Sequence, residues 1–127
     1  MKVVLDASAL LALILDEPGA EGVQGVLDQE VLLSVVNFAE VIGRAERAGI
    51  KPEDARGGIL ALPLQLVVLD EKMAFEMGKL VGVGRPLGLS LGDCACLATA
   101  RVLEASVLTA DKAWSKLNVG LKIKLIR

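Results

Sequence analysis

The stretch Val3-Val4-Leu5-Asp6-Ala7-Ser8-Ala9-Leu10-Leu11 decides the fold. Its first three residues are apolar without alternation, as in a strand covered on both faces within a parallel sheet. Asp6 then stands where a helix begins, and a small, apolar run follows it. The same wholly apolar pattern recurs at Val31-Leu32-Leu33, Leu66-Val67-Val68-Leu69 and Val107-Leu108, whereas Leu121-Lys122-Ile123-Lys124-Leu125 alternates as an edge strand does. Between these runs the periodicity predicts helices near 8–15, 20–29, 36–48, 53–61, 71–82 and 91–104. Pro18-Gly19, Gly49, Pro63 and Arg85-Pro86-Leu87-Gly88 supply the breaks. No repeat, linker or low-complexity tract interrupts the pattern. The expectation is α/β: a single domain over residues 1–127, with three α/β/α layers and a central, mostly parallel five-stranded sheet.

Composition narrows the chemistry. The 127 residues are 54% hydrophobic, 24% charged and 2% aromatic, with net charge −2, no histidine, no tyrosine and two cysteines. A chain of this length buries enough surface to fold without disulfides or a structural metal. Without histidine, Ser-His-Asp and Cys-His catalysis are excluded, as are zinc sites of the usual make-up. Cys94 and Cys96 lie two apart, so they read as small buried hydrophobes and not as a Cys-x-x-Cys redox or zinc loop. Nothing in them argues for secretion, and a reducing cytoplasm is the expected setting. The longest small-or-apolar run, Ala7 to Leu15, is too short to span a bilayer, and Asp6 and Asp16-Glu17 flank it where a signal peptide would not carry acids. A mean hydropathy of +0.57 leaves apolar surface to spare for an interface. Residues 1–43 hold one basic and seven acidic groups, while the last sixteen residues hold five basic groups and no acid.

In a parallel sheet with right-handed crossovers, the functional crevice opens at the carboxyl ends of the strands, where the strand order reverses. The acids at those ends are Asp6 after the first strand, Asp70 after the third and Asp111 after Val107-Leu108-Thr109-Ala110. Glu40 lies on the helix after the second strand, and Asp93 in the first turn of the helix before the fourth. Each of Asp6, Asp70 and Asp111 is also placed to cap a helix, and Ser90-Leu91-Gly92-Asp93 fits a capping box. From spacing alone, capping accounts for any one of these acids better than catalysis does. Taking Phe38 as the buried reference, Glu40 falls on the opposite, polar side of its helix with Asn37, Arg44 and Arg47. That side reads as solvated, with a Glu40–Arg44 pair.

Capping does not require acids from separate segments to meet. If they do meet they repel, and a cation among them relieves the repulsion. All-oxygen coordination selects a hard ion, Mg²⁺ or Mn²⁺, which activates water and neutralises phosphate oxygens during in-line displacement.

The segments Val3 to Leu11, Asn37-Phe38-Ala39-Glu40-Val41, Leu89-Ser90-Leu91-Gly92-Asp93 and Leu108-Thr109-Ala110-Asp111-Lys112-Ala113-Trp114 together resemble the motifs of the PIN-domain nucleases. Within these, the likeness is to the VapC-type toxins of bacterial and archaeal toxin–antitoxin pairs. The resemblance runs in order along nearly the whole chain. It implies a metal-binding quartet of Asp6, Glu40, Asp93 and Asp111, with Ser8, Asn37 and Thr109 as polar supports. It further implies a Mg²⁺-dependent endoribonuclease, with Mn²⁺ as substitute, a small antitoxin partner and a homodimer. Because the chain lacks the histidines that commonly drive attack by a neighbouring 2′-hydroxyl, hydrolysis to 5′-phosphate and 3′-hydroxyl ends is expected.

Other features carry less. Gly82-Val83-Gly84 with Gly88 follows a helix, not a strand, and reads as a flexible loop instead of a dinucleotide fingerprint. Arg44, Arg47, Arg85, Lys112 and Lys116 are candidate RNA contacts, while Lys122 and Lys124 suit guards of an edge strand. Trp114 reads as a packing anchor. Two other function classes remain open: a phosphoacceptor domain using Asp70, with Asp6 as a Mg²⁺ ligand, and a PIN-like module that binds without catalysis.

Overall fold

The computed structural model describes residues 1–127. The chain runs through β1 (Lys2–Leu5), α1 (Ala7–Ile14), α2 (Ala20–Gln24), β2 (Glu30–Ser34), α3 (Val35–Arg47), α4 (Pro52–Leu60) and β3 (Leu64–Val67). It continues through α5 (Glu71–Gly84), a 3₁₀ turn at Arg85–Leu87, α6 (Leu91–Leu103), β4 (Ser106–Thr109), a second 3₁₀ turn at Lys112–Lys116 and β5 (Ile123–Leu125). The five strands form one sheet in the order β3-β2-β1-β4-β5, and every neighbouring pair is parallel.

The unbroken apolar strands follow from two cores, one on each face of the sheet. Val4, Leu32 and Val107 point into a cluster with Met77 and Leu80 of α5, with Cys94, Ala95 and Leu97 of α6, and with Trp114. Their neighbours Val3, Leu5, Val31, Leu33 and Leu108 point the other way, onto Ala9 and Leu10 of α1, Val41 of α3 and Ile59 of α4. Side chains alternate across a strand, so the middle of a strand buried on both faces is apolar at every position, and the buried polar residues Ser34 and Thr109 come only at strand ends. Both cysteines are buried free thiols, and Trp114 is a packing anchor at 1% exposure.

Several boundaries differ from the sequence reading. The third strand is Leu64–Val67 and not Leu66–Leu69, because its register against β2 runs from Val31↔Leu64 to Ser34↔Val67. It lies at the sheet edge, half-covered, and Val68 beyond it is 73% exposed. The expected helix 20–29 ends at Gln24. Past it the chain tightens into three-residue bonds, such as Val26 N to Val23 O and Leu27 N to Gln24 O. Gly82-Val83-Gly84 is the last turn of α5 and not a loop. Leu89 folds back on Gly84, with its N–H bonded to Gly84 O at 3.1 Å and its side chain where a Cβ on that glycine would lie. The alternating Leu121–Leu125 segment is an edge strand as expected, shortened to Ile123–Leu125, with Lys122 and Lys124 exposed.

The carboxyl-terminal segment is fastened to the end of β4 and to the loop after α1. Ile126 N–H donates to Thr109 O at 2.9 Å, and Arg127 Nη1 donates to Pro18 O at 2.9 Å. Gly19 has φ +97°, and a Cβ there would lie 2.7 Å from the Ile126 carbonyl oxygen, a backbone atom that cannot swing aside. Gly49 also has positive φ, +92°, but open space around it. Gly49→Ala is therefore expected to lose only the left-handed penalty of about 1–2 kcal/mol. Gly19→Ala must lose more, since backbone has to move as well. Urea unfolding of the two variants checks this, and equal losses would contradict it.

Candidate active site

Sheet order reverses between β1 and β4, and polar residues stand there, Asp6 just past β1 and Thr109 at the end of β4. Asp6, at 4% exposure, caps α1, and its carboxylate accepts three hydrogen bonds. Ala9 N–H and Ser8 Oγ donate to Oδ1 at 2.9 and 2.7 Å, and Thr109 Oγ1 donates to Oδ2 at 2.8 Å. Ser8 Oγ in turn accepts from Ala110 N–H at 2.9 Å, and Thr109 Oγ1 from Asp111 N–H at 3.0 Å. The two hydroxyls thus latch the end of β1 to the end of β4. Burial pushes the Asp6 carboxyl above its ordinary range. The three hydrogen bonds oppose that rise and the negative charge of Asp93 adds to it.

Asp93 enters from the first turn of α6. Ser90 N–H donates to its Oδ2 at 2.9 Å and its own N–H donates to Ser90 Oγ at 3.1 Å, the reciprocal box expected from the sequence. Asp111 caps the second 3₁₀ turn through Oδ1, which accepts from Ala113 N–H at 3.0 Å. In both residues the second carboxylate oxygen takes no bond within the chain. Glu40 arrives from α3, with Oε1 accepting from Asn37 Nδ2 at 3.2 Å and Oε2 facing Arg44 Nη2 at 3.3 Å.

These four acids line one cleft of about 300 Å³ together with Ala7, Ser8, Arg44, Gly88 and Ser90. No three of them are drawn round a common point closely enough to hold an ion. Each carboxylate instead turns toward a backbone N–H, a hydroxyl, an amide or a guanidinium, as like charges sharing a cleft do. Their mutual influence is still legible beneath the site. The buried Cys96 thiol is pushed well above its ordinary range by burial, with the charges of Asp6, Asp93 and Glu40 adding to the rise. The cleft offers only oxygen donors, neither thiolate nor imidazole, and Asp93 and Asp111 each keep a free oxygen. That donor set fits a hard divalent cation such as Mg²⁺ or Mn²⁺.

Asn37 lies elsewhere than the sequence placed it. It is 1% exposed, in line with Val41 and Ala45 on the buried face of α3, and not on a solvated side. Phe38 is only half-buried, so it is one position away from the true centre of that face. Nδ2 of Asn37 also donates to Gly92 O at 3.0 Å, joining α3 to α6, while its Oδ1 has no partner. Both neighbours of the amide nitrogen are acceptors, so the side chain cannot be flipped. Among the basic candidates, Arg44 lines the cleft, and Arg47 lines an adjoining groove that shares Glu40 and Arg44 with it. Arg85, Lys112 and Lys116 are exposed outside the cleft lining. Asp70 caps α5, accepting from Met73 N–H at 2.8 Å. It follows the edge strand β3, two strands from β1, and does not line the cleft. What the sequence reading missed is the approach of Glu40 to Gly92 and the burial of Asn37. A hydrophobic face centred on Val41 would have shown the second.

The family profile described as PIN domain matches residues 3–120. No curated protein matches the chain at a significant level. Among solved structures, the fold is similar to a chain of VapBC2 from Rickettsia felis bound to a DNA fragment from their promoter (TM-score 0.78, 16% identity, 98% of each chain covered). It is similar to one in DNA-bound VapBC from Salmonella typhimurium (TM-score 0.76, 16% identity, 100% of this chain and 99% of that one). A third match lies in VapBC-5 from Mycobacterium tuberculosis, a member of the VapBC family of toxin-antitoxin systems (TM-score 0.57, 22% identity, 99% and 98% covered). At these identities the structural matches speak for the fold.

The raised Asp6 carboxyl gives a signed expectation. The folded chain holds the Asp6 proton to higher pH than the unfolded chain does, so this group's contribution to stability falls as pH rises from the ordinary carboxylate range through the raised value. Asp6→Asn keeps an acceptor for Ala9 and Ser8, sets an amide N–H against the Thr109 hydroxyl in place of the accepting Oδ2, and removes the buried charge. In metal-free buffer the Tm difference between variant and wild type should therefore move in the variant's favour as pH rises from the ordinary carboxylate range to neutrality. A difference that stays constant over that range would contradict this.

Proposed function

The chain belongs to the PIN-domain family, and from that premise we propose that it is a divalent-metal-dependent endoribonuclease, the toxin of a toxin–antitoxin pair. The observation that carries the reading is the single cleft, at the sheet's switch point, lined by Asp6, Glu40, Asp93 and Asp111. These residues would hold Mg²⁺, or Mn²⁺ in its place. When bound, such an ion neutralises phosphate oxygens and lowers the pKa of water.

The chain's own groups do the rest. Ser8 and Thr109 fix the orientation of Asp6. Asn37 fixes that of Glu40. Arg44 presents a guanidinium at the cleft and Arg47 continues the positive charge along the adjoining groove, so the two suit consecutive phosphates of one strand. Arg85, Lys112 and Lys116 add further exposed charge for RNA near the site. The absence of histidine favours water over the 2′-hydroxyl as nucleophile, and preference for RNA then rests on binding.

The partner reading draws on the VapBC structures that the fold resembles. A small antitoxin would restrain the nuclease by covering apolar surface and setting a basic side chain against the acidic cleft. Exposed Phe75, Val81 and Val83 on α5, with Leu60 on α4, supply apolar surface for a homodimer. No helix is long and apolar enough to cross a membrane.

The test is cleavage of total cellular RNA in the presence of Mg²⁺ or Mn²⁺, with the new ends mapped by ligation. Ends should carry 5′-phosphate and 3′-hydroxyl, and EDTA should abolish cutting. Asp93→Asn keeps its cap on Ser90 and should lose activity by more than about a hundredfold, beyond what changes around the outside of a metal site produce. Cleavage that persists in EDTA or in this variant would overturn the proposal. So would 2′,3′-cyclic phosphate ends that depend on the four acids.

A further inference from the structure

Gly92 is the second residue of α6, in a negative-φ backbone that any residue adopts, so no turn geometry asks for glycine there. Glycine also weakens a helix relative to alanine. What its hydrogen makes room for is the carboxylate of Glu40. A Cβ on Gly92 would lie 2.7 Å from Glu40 Oε1, 3.3 Å from its carboxyl carbon and 3.6 Å from Oε2. Glu40 lies against this bare Cα while Asn37 Nδ2 donates to Glu40 Oε1 at 3.2 Å and to Gly92 O at 3.0 Å. One buried amide therefore fixes both sides of the contact, and α3 delivers its acid directly onto the turn of α6 that carries Asp93.

We infer that Gly92 is a positioning residue for Glu40, whose missing side chain lets the Glu40 carboxylate dock on the first turn of α6 beside Asp93. The inference rests on the metal-nuclease reading for its consequence, but the contact itself does not. The atoms a methyl group would meet belong to the tip of a flexible side chain, so Gly92→Ala need not disturb the fold. The methyl is accommodated by swinging the carboxylate away from Asn37, and the loss falls on the cleft.

Two measurements test this. In metal-free thermal melts, Gly92→Ala should raise Tm more in an Glu40→Ala background, where the added methyl meets nothing, than in the wild type, where it displaces the acid. Equal effects in both backgrounds would overturn the contact. In titrations with Mn²⁺ alone, followed calorimetrically, Gly92→Ala should weaken binding by about ten- to a hundredfold, the range for changes that misorient a metal ligand. Glu40→Asp, one methylene shorter, should weaken Mn²⁺ binding in the wild type yet strengthen it in Gly92→Ala, because the shortened acid withdraws from the methyl. If the wild type binds Mn²⁺ and Gly92→Ala binds it equally well, or if Glu40→Asp gives no recovery, the inference is overturned while the nuclease reading stands. A wild type that binds no Mn²⁺ overturns the metal reading and the role of Glu40 with it, and the melts still decide whether Gly92 holds the acid.

Discussion

A carboxylate with 4% of its surface exposed, held by three hydrogen bonds at the seam between two parallel strands, is the constraint on which the rest of the site depends. Burying such a group is unfavourable unless its oxygens are satisfied. Ala9 N–H comes from the helix that Asp6 itself caps, and Thr109 from the strand across the seam. Satisfying Asp6 therefore joins β1, α1 and β4 at one point, and the same Thr109 hydroxyl accepts the N–H that positions Asp111. The bonds do not offset the whole desolvation cost, since the carboxyl is still pushed above its ordinary range. A cation set beside it would relieve what remains.

The second junction, between α3 and α6, is made by Asn37 and works on different terms. It is neutral, buried and directional, with both amide hydrogens spent on acceptors from different helices. Asp6 brings together what the strands carry, and Asn37 brings together what the helices carry. The cleft lies between these junctions, which is how residues as far apart in the chain as Asp6 and Asp111 come to line one opening.

Much of this was legible from residue order. Unbroken apolar runs at Val3–Leu5, Val31–Leu33 and Val107–Leu108 announce strands covered on both faces, and each is found feeding two cores with alternate side chains. The run at Leu66–Leu69 is neither covered on both faces nor a strand throughout, because β3 is an edge strand whose limits follow its register against β2, two residues earlier, and Val68 lies beyond it in solvent. The acids could be read as caps or as a site, and those are not alternatives. Asp93 and Asp111 each spend one oxygen on a helix start and keep the other. Glu40 likewise forms the expected pair with Arg44 and still lines the cleft. Asn37 falls on the wrong side of α3 when Phe38 is taken as the buried reference, whereas the buried face centres on Val41 and Asn37 there spans Glu40 of its own helix and Gly92 of α6. Gly92 gave no signal at all, because a close approach between helices leaves no periodic trace in either.

The proposal that most needs testing is that these acids bind a divalent cation in their cleft. Crystals soaked in Mn²⁺ and measured at the manganese absorption edge test it directly. An anomalous peak is expected inside the cleft, within coordination distance of Asp6, Asp93 and at least one of Glu40 and Asp111, with the carboxylates drawn in from the spread arrangement they adopt alone. A saturating soak that leaves the cleft without a peak, or places manganese only on other surface acids, would contradict it.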